Sequence, residues 1–398
     1  MPEKKYLVPL AFIGMMFFTV GFAMGINSYL VPLLQSTLDV SSGASYLIIA
    51  ATFTAFLIFS YPAAKIIGVI GYRKTMCLAF LLFDLGFALF IPSAHLGSLP
   101  LFLLASFLSG VGNTVLQAAI NPYVTILGPM ESAARRISMM GICNALSWPV
   151  APLFLAAVIG KDINDAVLTD IDLPFFLIIG VILLLGVATW FAPLQEIKAV
   201  GEDEKDAADC PYARGKTSIW QFPHLVLGAV ALFFYVGVET LALSSAVDYA
   251  AWLGLKNPQS YAIWPSAGMA VGYVLGIIAI PKYISQATAL KICCHLALIG
   301  SLLIVLTPAK ASIWFVASLG LACSLMYPAI WPLAIVDLGR FTKTGSSLLV
   351  ASIGGGALIP LLFGFLKDAV GNHQAYWICL PCYLFIFYYA YSGHKIRR

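Results

Sequence analysis

Three side-chain amides draw attention by their spacing. Asn113, Gln117 and Asn121 lie at i, i+4 and i+8 inside an apolar run. On a helix that spacing puts all three on one face. A primary amide both donates and accepts hydrogen bonds, which is what each hydroxyl of a sugar-like guest requires. Asn27, Ser28 and Asn144 add polar groups to other apolar runs. Polar groups in hydrocarbon are costly unless they are paired or face water. Two readings follow. The amides line a cavity for a hydroxyl-bearing solute, or they join helices to one another. An isolated amide fits the second reading, and a three-amide stripe favours the first.

Ionisable groups in apolar runs are few. Glu239 lies midway along one run, and Asp248 follows two to three turns later. No basic residue in the same run is spaced to neutralise Glu239. Such a carboxylate either keeps its proton or meets a cation, and either behaviour can couple movement of a solute to an ion gradient. A protonated Glu239 bonded to a neighbouring helix is the structural alternative. Asp84 and His295 fit structural roles. Aromatic residues complete the candidate set. Trp264, Tyr327 and Trp331 offer rings that suit the C–H face of a pyranose and polar edges that can bond it.

The elements that must position these residues are membrane helices. The chain has 398 residues, 61% hydrophobic and 10% charged. A soluble domain carries roughly 25% charged residues, so lipid is the solvent for most of this chain. A span needs about 20 mostly apolar residues. The sequence predicts twelve, at 7–34, 44–70, 75–94, 99–127, 137–160, 173–193, 222–250, 260–281, 288–307, 312–337, 346–366 and 375–393. The charge-dense segment 194–221 separates six from six and reads as a linker between bundles 1–193 and 222–398. With both termini cytoplasmic, 18 of the 22 lysines and arginines fall on the inner side; Lys161, Lys256, Lys310 and Lys367 fall outside. That bias supports the count and the orientation. The first apolar run is too long for a leader and reads as a retained span. Asn121-Pro122, Pro149, Pro152, Tyr327-Pro328, Trp331-Pro332 and Gly354 to Gly356 are expected to interrupt helices four, five, ten and eleven.

Several functions are excluded by what accompanies these spans. No basic block with interleaved aromatics points to nucleic acid. The cysteines form no pairing or metal framework, and Cys379 with Cys382 reads as packing. No cluster of acids, histidines or metal ligands supports an enzyme. No cofactor is expected beyond a coupling proton or sodium ion.

Several motifs resemble a known family. Pro62 to Lys74, PAAKIIGVIGYRK, resembles the loop between helices two and three of the major facilitator superfamily. Leu116 to Pro129, LQAAINPYVTILGP, is similar to the fourth-helix signature of its fucose–glucose–galactose permease family. Ser132 to Arg136, Asn144, FFYVGVE from Phe233 to Glu239, LMYPAIWPLAIVDLGRFTKTG from Leu325 to Gly345, and GGGALIP from Gly354 to Pro360 continue the similarity. The resemblance implies an all-α fold of twelve helices in two six-helix bundles. It implies cation-coupled hexose uptake by alternating access, by a single chain in a bacterial inner membrane. Ser28 and Gln117 stand near positions where fucose-type members have carboxylates. Gly141 stands where a glutamine is common, and Tyr273 where an arginine is. The Gln117 form looks like the glucose–galactose branch and leaves Glu239 as the leading coupling carboxylate. The expected sugar ligands are Asn27, Asn113, Gln117, Asn121, Asn144, Trp264, Tyr327 and Trp331, with Glu239 and Asp248 for the cation. A passive sugar facilitator, or an exporter of another small solute on the same fold, are the alternatives.

Overall fold

Lipid offers no hydrogen-bond partners, so a chain this apolar must satisfy its own backbone, and helices do so within each segment. A computed structural model describes residues 7–126, 133–161, 163, 165–194, 211–213, 215–280, 282–338 and 341–396. Among them there are fourteen α-helices and no strand. The first half contains α1 (Leu7–Leu38), α2 (Ser42–Ile70), α3 (Tyr72–His95), α4 (Leu99–Ile126), α5 (Ala133–Ile159) and α6 (Asp172–Phe191). The second contains α7 (Pro223–Trp252), α8 (Ile263–Ala279), α9 (Gln286–Leu306), α10 (Ala309–Cys323), α11 (Met326–Ile335), α12 (Thr342–Ser352), α13 (Gly355–Val370) and α14 (Cys379–Tyr391). Most of the linker charge, residues 127–132 of the fourth-helix motif, and Arg340 lie outside the described residues.

Eleven helical segments are long and apolar enough to cross a membrane. The twelfth, a 3-10 turn (Gln374–Ile378) running into α14, is diluted by Tyr376, Tyr383, Tyr388, Tyr389 and Tyr391. Twelve crossings bring both chain ends to one face, the terminal face. The α1–α2 turn lies on the opposite, distal face.

Local signals set the helix ends. Ser41 caps α2 by accepting from the Ala44 amide, and Ser285 caps α9 by accepting from Thr288. Gly71 alone separates α2 from α3. Its φ of 81° lies in the left-handed region, where glycine carries no Cβ penalty.

The expected interruptions divide into two groups. The tenth span breaks after Cys323 into α10 and α11, just ahead of Tyr327-Pro328. The eleventh breaks at Ile353–Gly354 into α12 and α13. By contrast, α5 runs unbroken through Pro149 and Pro152, and α4 continues to Ile126. These two expectations are corrected, and so is the one at Trp331-Pro332, since α11 runs unbroken through Pro332. A proline removes one N–H but leaves the rest of the ladder, and neighbouring helices hold the rod together.

Within the first half, α1 packs on α5, α2 on α4, and α3 on both α4 and α6. Within the second, α10 packs on α8 and α9, and α7 packs on α11, α13 and α14. The halves meet chiefly where α2 packs on α13 and α12, α5 on α8, and α1 on α7. Close approach needs small residues. A Cβ on Gly320 of α10 would collide with the Pro265 carbonyl of α8, a backbone atom that cannot turn away. Gly180 of α6 has nothing within 4 Å of a Cβ. Gly320→Ala is therefore expected to destabilise by about 1–3 kcal/mol, the usual cost of overpacking. Thermal unfolding in detergent should show a lowered Tm for Gly320→Ala and an unchanged one for Gly180→Ala.

Candidate functional site

The amide stripe is real and partly committed to the protein. Asn113 is buried, and its Nδ2 donates to the Val20 carbonyl of α1 at 3.5 Å. Gln117 Nε2 donates to Asn113 Oδ1 at 2.9 Å. Asn144 of α5 donates to the Phe17 carbonyl at 3.3 Å, and Asn27 of α1 donates to Thr52 Oγ1 of α2 at 3.3 Å. Ser28 accepts from the Trp148 indole at 3.2 Å. The helix-joining reading thus holds for one N–H of Asn113, Asn144 and Asn27, whereas Gln117 bonds within α4.

Their accessibility argues for more than joining. Gln117, Asn121 and Asn144 are half-buried although they lie well inside their spans. Gln117 Oε1 and Asn144 Oδ1 accept no hydrogen bond among the described residues and are not sealed from a water-sized probe. These acceptors, together with the second N–H of each amide, are the groups a hydroxyl could use.

The second half contributes an aromatic group around one acid. Tyr235 donates its hydroxyl to Glu239 Oε1 at 2.6 Å. The Tyr235 and Tyr327 rings lie 6.2 Å apart, and those of Tyr327 and Trp331 lie 5.6 Å apart. Tyr273 and Tyr327 are within electrostatic reach of Glu239. Glu239, Tyr327 and Trp331 keep part of their surface accessible, like the amides of α4 and α5. Among the described residues no lysine or arginine pairs with Glu239. Helix α4 has its main partners, α1, α2, α3 and α5, in its own half. The distal face is closed by the α1–α7 and α2–α13 seams.

Gly141 and Tyr273 meet across the halves. A Cβ at Gly141 of α5 would sit 3.1 Å from Tyr273 Cζ of α8. The missing side chain on α5 is what admits the phenol on α8. The two residues are complementary in space.

Two expected site residues stand elsewhere. Trp264 is half-exposed and packs edge-on against Trp314, with ring centroids 5.5 Å apart, beside Tyr261. It belongs to an aromatic belt at the end of the span and is not gathered with Tyr327 and Trp331. Asp248 is not available to a free cation. Lys367 of α13 forms an ion pair with it, and both side chains are almost wholly buried, at 2% and 5% exposure. Lys367 is thus part of a span interior, not of an outer loop as the charge count assigned it. Carrying the eleventh span one turn further, as the apolar pattern permits, exposes this assignment. Tyr235 was also legible, because it sits one helical turn before Glu239.

The remaining ionisable groups inside spans lie away from this site. Both carboxylate oxygens of Asp84 in α3 are buried without a hydrogen-bond partner. His295 is exposed on α9, bonds to its own helix at Lys291, and packs on Phe387 and Tyr391 of α14. No metal-binding cluster occurs among the described residues.

Comparison with known proteins agrees with this architecture. Residues 13–352 match the Major Facilitator Superfamily. A glucose/galactose transporter of Brucella abortus is 34% identical over 99% of this chain and 96% of its own length. An L-fucose-proton symporter of Escherichia coli is 26% identical over 98% of this chain and 93% of its own. The crystal structure of the E. coli fucose:proton symporter in its outward conformation superposes with a TM-score of 0.73 at 23% identity, covering 99% of this chain and 100% of that one. A bacterial homologue of the human lysosomal transporter Spinster, inward-facing, superposes with a TM-score of 0.70 at 14% identity, covering 99% of this chain and 98% of that one. The two structural likenesses establish the fold. With the sequence match across nearly its whole length, the chain belongs to the Major Facilitator Superfamily and, within it, to the fucose–glucose–galactose permease family.

Proposed function

We propose that this chain carries a hexose such as glucose, galactose or mannose into the cell by alternating access, driven by a proton or sodium ion. The observation that carries this reading is the set of half-buried amides deep in the spans, with open acceptors on Gln117 and Asn144. The name of the Brucella relative supports the hexose, and the name of the E. coli relative supports a coupling ion. The two six-helix halves, 1–193 and 222–398, rock about the site. Both termini lie on the cytoplasmic side of a bacterial inner membrane, a reading the lysine and arginine bias supports. On this reading the amides of α4 and α5 and the aromatic group of α7 and α11 are the two walls of a cleft that opens on the terminal, inward side. A single chain is sufficient for this cycle.

Sugar hydroxyls bond to Gln117, Asn121 and Asn144 on one wall. Tyr327 and Trp331 cover the apolar face of the ring on the other. Asn27 and Asn113, more deeply buried, hold the wall in place through Thr52 and Val20. Glu239 is the coupling group, because Asp248 already has its cation in Lys367. Sugar biases the exchange between states only by binding them unequally. A cleft that closes its two walls on the ring supplies that difference.

Two measurements test this. In proteoliposomes, Gln117→Ala should weaken hexose uptake, raising KM about 10-fold for the loss of one or two hydrogen bonds. Unchanged uptake across a panel of labelled hexoses removes the stripe from the mechanism. Glu239→Gln should abolish accumulation against a gradient while leaving exchange of internal for external sugar intact. Running both proteins with an imposed sodium gradient, and then with a proton gradient, identifies the ion. Failure of the native protein to accumulate sugar under either gradient makes it a passive facilitator.

A further inference from the structure

The distal face holds a network that the sugar site does not use. Its centre is the buried pair of Asp248 on α7 and Lys367 on α13, both in the second half. Two side chains of the first half reach into it. Tyr46 of α2 donates its hydroxyl to Asp248 Oδ2 at 2.8 Å. Gln35 of α1 donates to Asp248 Oδ1 at 3.5 Å and to Ser45 Oγ at 2.9 Å. The Lys367 ammonium also lies 5.4 Å from the centre of the Tyr46 ring. One residue on, the Asp368 carboxylate crosses the same seam. It accepts from the Ser42 amide at 3.0 Å and the Gly43 amide at 2.8 Å, at the first turn of α2.

The division of labour in this network is specific. Two charges buried together are strongly held, because separating them would leave each uncompensated in a poor solvent. Here both belong to one half, so the pair survives any rigid movement of one half against the other. The hydrogen bonds named above that cross the seam come from an uncharged phenol, an uncharged amide and two backbone amides, beside the ring packing of Tyr46 on Phe363 and Lys367. Each of those donors can exchange its partner for water once the seam opens. The ion pair is therefore a fixed anchor, and the donors of α1 and α2 are releasable.

We infer that Asp248, held by Lys367, is the receptor of a distal latch, with Tyr46 and Gln35 as its bolts and Asp368 as a second catch. The latch closes the distal face while the terminal cleft is open, and it must release for solute to enter from the distal side. This rests on the alternating-access reading above, but not on which solute is carried.

Hydrogen–deuterium exchange of the full-length protein in nanodiscs, without sugar, tests the latch. Tyr46→Phe removes one bolt and leaves the ion pair and the ring packing in place. A hydrogen bond to a charged group is worth about a 10-fold or larger shift between two states. Amides at 42–46 should exchange about 10-fold faster, and the terminal-face ends of α4 and α11 should exchange more slowly as that side closes. Adding Gln35→Ala should enlarge both changes. Faster exchange on both faces is plain destabilisation and overturns the latch, as does no change at 42–46. Because no sugar is present, a failed latch leaves the Gln117→Ala uptake result standing, and a failed sugar assignment leaves this exchange pattern standing.

Discussion

The structure is governed by a shortage of hydrogen-bond partners. Between the ends of its spans the chain meets lipid, and every polar side chain there needs a partner from another helix, a water-filled cleft or a guest. Asn27 meets Thr52, Asn113 meets Val20 and Ser28 meets Trp148, so these groups tie α1 to its neighbours. The groups left over are concentrated on Gln117, Asn144 and Glu239. The same shortage that builds the first half also marks where its surplus capacity lies.

The two acids of α7 show how position decides role. They lie nine residues apart on one helix. Asp248 is enclosed with a lysine and accepts two further hydrogen bonds from the other half. Glu239 has one phenol from its own helix and tyrosine rings around it. A neutralised acid is a structural centre. An acid with no cationic partner among the described residues has its charge still to be settled, and an arriving ion can settle it.

Much of this was legible in the residues themselves. Helix positions followed from apolar runs, because no other structure satisfies the backbone in lipid. The stripe followed from helical geometry, and the turn at Gly71 from a glycine placed before Tyr-Arg-Lys. The partners were not legible, since Thr52, Val20 and Lys367 meet their amides and acid only through tertiary packing. Lys367 was misplaced because a lone charge at the end of an apolar run reads as a loop until its partner on another span is known. Trp264 was misplaced for a related reason. A tryptophan near a span end suits a membrane interface as well as a cavity, and only its neighbour Trp314 decides between them. Pro149 and Pro152 left α5 whole because a helix packed on both sides tolerates missing donors.

The tyrosine-rich last crossing bears on how the protein is made. Its phenols are matched to groups from earlier segments: Tyr376 donates to Ser245, and Tyr383 meets Cys323. A nascent segment leaving the ribosome is sorted into lipid by its own greasiness, and this one is the least greasy of the twelve. Its hold in the bilayer thus relies on α7 and α9, the helices it packs against most. Biogenesis of the second half accordingly ends with a helix recruited by its predecessors, and a chain truncated before residue 374 leaves Ser245 and Cys323 facing acyl chains in place of phenols.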